Sequence, residues 1–161
     1  MGCHILKCLI IQILLLKSPD VDAASGLFFI FTMINTAITH DITVLAQNQY
    51  LPEGTHPAIG EFGFAYCITI ENGGAYTVQL LRRHWFITDG SGFLREIEGE
   101  GVLGLQPILA PGQVHSYTSW CSLKTDIGKM RGTFQMLRQA DGVLFDIAVP
   151  EFQLMAPFKG N

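Results

Sequence analysis

The chain has 161 residues, 10 of them Lys or Arg against 14 Asp or Glu, for a formal net charge of −4. Hydrophobic residues make up 48% and charged residues 15%, which is enough apolar surface for a packed core and excludes a disordered chain. The charge balance lacks the basic patch that duplex nucleic acid requires, and Cys3, Cys8, Cys67 and Cys121 form no C-x-x-C pair and no zinc-like or redox spacing.

Residues 1–32 differ in texture from the rest. Cys8 to Leu16 is an apolar run broken by Gln12, and Leu27 to Phe31 is a second; Lys17, Pro19, Asp20 and Asp22 lie between them. Neither run reaches the roughly 18–20 residues of a membrane-spanning helix. The segment is expected to be an apolar leader, disordered or an over-extended start, ahead of a domain over 33–161. Its rival is a secretory signal with Lys7 before the apolar run and Val21-Asp22-Ala23 as the cleavage site. The Met1-Gly2-Cys3 opening hints at acylation, but Leu6 stands where myristoylation wants Ser or Thr. Lys7 and Lys17 offset Asp20 and Asp22, so the body keeps the same net charge without the leader.

From Ile42 onward apolar residues alternate at period two, and no window sustains a helical repeat. The expected strands are Ile42 to Gln49, Phe62 to Glu71, Thr77 to Thr88, Phe93 to Glu98, Val114 to Cys121, Met130 to Arg138 and Leu144 to Leu154. Turn chemistry separates them at Glu71-Asn72-Gly73-Gly74, Asp89-Gly90-Ser91-Gly92, Ala110-Pro111-Gly112 and Ala140-Asp141-Gly142. About seven short strands at this spacing imply an all-β, antiparallel β-sandwich. Phe64, Tyr66, Ile68 and Ile70 share one face of their strand, and Cys67 and Thr69 the other. Pro150 lies inside the last strand, where the missing donor calls for an edge, a bulge or a break.

Three groups of residues could carry chemistry. Gly99-Glu100-Gly101-Val102-Leu103-Gly104 is a literal G-x-G-x-x-G, but Leu105-Gln106-Pro107 follows where a dinucleotide site needs a helix. What remains is either an anion-binding nest of backbone N–H groups or a tight connection between sheets. In Arg82-Arg83-His84-Trp85, alternation puts Arg82 and His84 on one face and Arg83 and Trp85 on the other. A guanidinium there suits phosphate or carboxylate recognition; otherwise the arginines pair with Glu96 or Glu98. Glu96, Glu98 and Glu100 line one face and could gather a hard cation or simply be solvated. The histidines His4, His40, His56, His84 and His115 form no metal-ligand motif, Ser116, Ser119 and Ser122 lie in no nucleophile elbow, and Cys121 has no neighbouring His.

The ordered set Phe64-Ala65-Tyr66, Ile68 to Asn72, Val78 to Leu81, Arg83-His84-Trp85, Thr88-Asp89, Gly99, Gly101-Val102, Gly104, Gln106-Pro107, Pro111-Gly112, Tyr117-Thr118-Ser119, Met130-Arg131-Gly132, Phe134-Gln135-Met136, Pro150, Phe152 and Leu154 closely resembles the ApaG family. The likeness runs from about Ile42 to Pro157, with departures at Arg82 and Trp120, where a small polar residue and glycine are usual. It implies a fibronectin type III-like sandwich and a start near Met33. Family members are labelled cobalt and magnesium efflux proteins and take their name from a genetic link to diadenosine tetraphosphate hydrolysis. Similar eukaryotic domains are attached to an F-box protein and to a polymerase-associated protein. A domain without a spanning segment cannot conduct ions across a bilayer, so any efflux role is indirect.

The expected function is therefore a non-enzymatic, cytoplasmic binding module that docks a protein partner and is linked to cobalt and magnesium tolerance. The alternative is binding of phosphate, pyrophosphate or a nucleotide anion, with or without a divalent cation, through Arg83, His84, Gly99, Gly101 and Gly104. No catalytic residue and no resident cofactor is expected, weak Co2+ or Mg2+ binding aside. The partner is a protein or a phosphate-containing small molecule, neither nucleic acid nor membrane, and a homodimer is compatible with these expectations.

Overall fold

The computed structural model describes residues 33–157; the leader and the expectations placed on it lie outside the described residues. Apolar alternation becomes β structure throughout: β1 Asn35–Thr39, β2 Ile42–His56, β3 Glu61–Asn72, β4 Val78–Asp89, β5 Leu94–Glu100, β6 Ile108–Leu109, β7 Val114–Leu123, β8 Ile127–Arg138 and β9 Val143–Met155. One sheet has the order β1-β2-β3-β7; the other has β5-β4-β8-β9, with β6 on the β4 edge beyond β5. All pairs are antiparallel. The fold is a fibronectin type III-like antiparallel β-sandwich.

The inward set of β3 is the expected one: Phe64, Tyr66, Ile68 and Ile70 are buried. The Trp85 ring meets Tyr66, Phe134 and Phe152 edge-on at centroid distances of 5.5, 6.1 and 6.2 Å, a favoured arrangement of aromatic quadrupoles. Pro150 sits on the edge strand β9, where Pro150 and Glu151 together oppose Arg131. It is thus at an edge and in a bulge at once.

Two strands lie outside the seven expected. β1 is joined to β2 by a two-residue turn in which His40 and Asp41 both have positive φ, at 50° and 62°. That geometry normally advertises itself with Asn-Gly or Gly, so the His-Asp pair concealed it. β6 is only two residues long. β2 also runs on to His56, with a register irregularity after Leu51 that breaks the alternation.

Candidate functional site

A bulge in β4 shapes the site. Leu80 pairs with Met136 and Arg82 with Gln135, so Leu81 is the extra residue. The inward parity therefore passes from Val78 and Leu80 to Arg83, Trp85 and Ile87, and a bulge of this kind re-aims side chains beside it. The Leu81 carbonyl accepts from the Gly101 N–H at 2.8 Å and from Gln106 Nε2 at 2.9 Å. Those two bonds anchor the glycine-rich loop.

The loop is a small hairpin. Val102 and Leu105 exchange backbone bonds at 2.8 and 3.0 Å, with Leu103 and Gly104 at the tip at φ 50° and 77°. Val102 is driven into the core, while Leu103 is 61% exposed. The N–H groups of Gly101, Val102 and Leu105 are thus all committed to protein carbonyls. Arg83 secures the loop from beneath, its Nη1 donating to the Glu100 and Gly101 carbonyls, both at 2.8 Å.

Two of the glycines answer to close approach. A β-carbon on Gly99 would lie 3.0 Å from Arg83 Nη2, so this position leaves space for the guanidinium. One on Gly101 would lie 2.1 Å from the Leu105 carbonyl oxygen, and the residue has φ +54°, so glycine is required.

Of the expected site residues, Arg83, Gly99, Gly101 and Gly104 come together around this hairpin; His84 does not. His84 points to the outer face, where its Nε2 lies 3.1 Å from Glu96 Oε2 and 3.6 Å from Glu98 Oε1. Arg82 joins Glu98 there at 3.8 Å. Among the described residues no cluster of three or more His, Cys, Asp or Glu is arranged to hold a metal ion.

Beneath the hairpin lies a slot of about 230 Å3 between β4 and β5 on one sheet and β7 on the other. Its polar groups are Arg83, Tyr66, Tyr117 and Ser119, and Trp85, Ile87, Ile97, Val102 and Met130 supply apolar wall. Tyr117 is 8% exposed, and its buried hydroxyl has no hydrogen-bond partner among the described residues. Such a group costs about 1–3 kcal/mol. Burial pushes the Tyr117 pKa well above the ordinary phenol value, against the opposing pull of the Arg83 charge. Burial likewise raises Tyr66, with Ser119 and Arg83 pulling it down. The Cys121 thiol is pushed up to about 11 by burial, although Arg95 opposes the shift. It is a poor nucleophile at neutral pH.

Sequence reasoning missed Tyr66 and Tyr117 as site residues. The signal available was parity, since both fall on inward positions, but the two-sheet juxtaposition that makes a slot of them has no local trace.

The match to known proteins settles the family. Residues 52–138 match the model described as the ApaG domain. The chain belongs to the ApaG family. It is 51% identical over 118 residues to Protein ApaG of Pseudomonas paraeruginosa, covering 73% of this chain and 93% of that protein. Protein ApaG of Afipia carboxidovorans is 48% identical over 121 residues, covering 75% and 92%. Among solved structures, the ApaA protein from Bordetella pertussis superposes with a TM-score of 0.70 at 42% identity, covering 74% of this chain and 97% of that one.

Proposed function

We propose that this ApaG domain is a non-enzymatic binding module that docks a protein partner over the side where β5 and β7 face each other. The observation that carries the reading is Trp120, 70% exposed on the edge strand β7 and beside the slot. Leu103, Leu105 and Ile108 on the loop after β5 and on β6 are exposed as well. Ile97 shares the inward face with its partner Trp85 yet is exposed, so β5 overhangs the opposite sheet. Aromatic anchors of this kind dominate protein interfaces, and contiguous apolar surface marks where partners bind.

The chemistry of the side chains favours binding over catalysis. The Cys121 thiol is held protonated, and His84 is engaged by carboxylates rather than by a hydroxyl or thiol. No helix among the described residues is long and apolar enough to cross a membrane. The cytoplasmic setting and the link to cobalt and magnesium tolerance are part of the same proposal, with the cation effect exerted through the partner.

The test is affinity capture with crosslinking, using the full chain and its Trp120→Ala and Ile38→Ala variants. Trp120→Ala loses the partner without a change in melting temperature, and Ile38→Ala retains it. Equal capture by all three proteins would overturn the reading.

A further inference from the structure

We propose that the slot beneath the glycine hairpin binds a carboxylate carried on a short apolar stem, with the Arg83 guanidinium and the Tyr117 hydroxyl as its donors. This deepens the docking reading, because such a group is what a partner chain offers at an acidic or C-terminal residue.

Three observations converge on it. The Tyr117 hydroxyl is closed off from bulk water and has no hydrogen-bond partner among the described residues, which leaves one buried donor for a group that enters the slot. Arg83 commits Nη1 to two loop carbonyls, and its Nε and Nη2 hydrogens meet no protein acceptor among the described residues. That leaves the planar edge that matches the two oxygens of a carboxylate. A guanidinium with one edge occupied and one open is also pre-organised, since its position is already fixed by the loop.

Size and charge choose among anions. At about 230 Å3 the slot is below the roughly 300–1,000 Å3 of pockets that enclose whole small-molecule ligands. It accommodates one side chain or a chain terminus and not a nucleotide. Three of the hairpin N–H groups, those of Gly101, Val102 and Leu105, are spent on the Leu81, Leu105 and Val102 carbonyls, which leaves an incomplete cradle for a phosphate. On the outer face of β5, exposed Glu96, Glu98 and Glu100 disfavour a multiply charged ligand approaching that strand. The apolar walls of Trp85, Ile87, Ile97 and Met130 suit a hydrocarbon stem behind a single negative charge.

The probes are 3-methylbutanoate and N-acetylleucine, each with its neutral amide, and inorganic pyrophosphate, titrated into the full chain and followed by calorimetry and thermal shift. Both acids bind saturably, and the amides bind at least about tenfold more weakly, as loss of a charge-assisted pair requires. Tyr117→Phe weakens the acids by about tenfold yet leaves the ligand-free melting temperature unchanged or raised, because it deletes a hydroxyl that has no partner. A merely structural tyrosine would show the reverse. Tighter binding of N-acetylleucine assigns the source to a chain terminus, and tighter binding of 3-methylbutanoate assigns it to a free acid; either supports the site. No saturable binding of either acid at about 10 mM, equal binding of acid and amide, or preference for pyrophosphate would overturn it. Acid binding lost while Trp120-dependent capture persists would remove this site alone. Capture lost while acid binding persists would remove only the docking reading.

Discussion

The two long sides of the sandwich are built differently. On one side β1 and β2 pack against β9, and side chains stitch the sheets together. Thr39 Oγ1 accepts from the Ala148 N–H at 3.2 Å, and Asn48 Nδ2 donates to the Gln153 carbonyl at 2.8 Å. On the other side β5 and β7 do not pack along each other. The gap is filled by Val102 on its arginine-held hairpin and crossed by Arg95, whose Nη2 donates to the Ser122 carbonyl at 3.0 Å. The first side is joined by the Thr39 and Asn48 bonds, and its own irregularities are the Pro150 bulge and a cavity of about 370 Å3 lined by His40, Ile42, Val143 and Phe145. The second gathers an inward-facing guanidinium, a hydroxyl with no partner among the described residues and a backbone bulge around a slot, the kind of departure from regular packing that is expected at functional sites.

The contrast can be broken from either side. Ile147→Ala, which empties a fully packed position on β9, is expected to cost about 2–5 kcal/mol while leaving carboxylate binding intact in the folded fraction. Gly101→Val forces a β-carbon against the Leu105 carbonyl at positive φ and is expected to cost roughly 2–4 kcal/mol. It also displaces the Arg83 anchor, so binding is lost even where the protein remains folded. Denaturant titration paired with acid binding separates the two outcomes; equal loss of binding in both variants would erase the distinction between the sides.

A smaller effect comes from His115 on β7. Burial lowers its pKa below the ordinary imidazole value, so the unfolded chain takes up the proton first. The stability it contributes is complete above about pH 6.5 and declines as pH falls from there through the lowered folded value. His115→Gln should flatten that part of the pH–stability curve, measured by urea denaturation between pH 7 and pH 5.

Much of this was legible in the chain, for identifiable reasons. Strict alternation made β3 and its inward residues readable, and the parity of Arg82 to Trp85 placed Arg83 and His84 on opposite faces. The Pro150 bulge followed from a missing donor. What could not be read depends on distant residues. The carbonyls that Arg83 holds belong to a loop seventeen and eighteen positions away. The wall opposite it is β7, which shares no ladder with β4 or β5. The G-x-G-x-x-G spacing was visible as a motif, but Gly99 answers to a guanidinium and Gly101 to the Leu105 carbonyl.

Docking of a partner on the β5–β7 side can be tested at a pair of matched positions. Ile38 on β1 and Trp120 on β7 are both 70% exposed, one on each side of the sandwich. Benzoylphenylalanine placed at either position in the full chain, irradiated in living cells, gives comparable access with opposite expectations. If partners dock on the β5–β7 side, position 120 gives a discrete crosslinked species that the unmodified domain competes away, and position 38 gives none. Crosslinking of equal yield from both positions, or from position 38 alone, would contradict it.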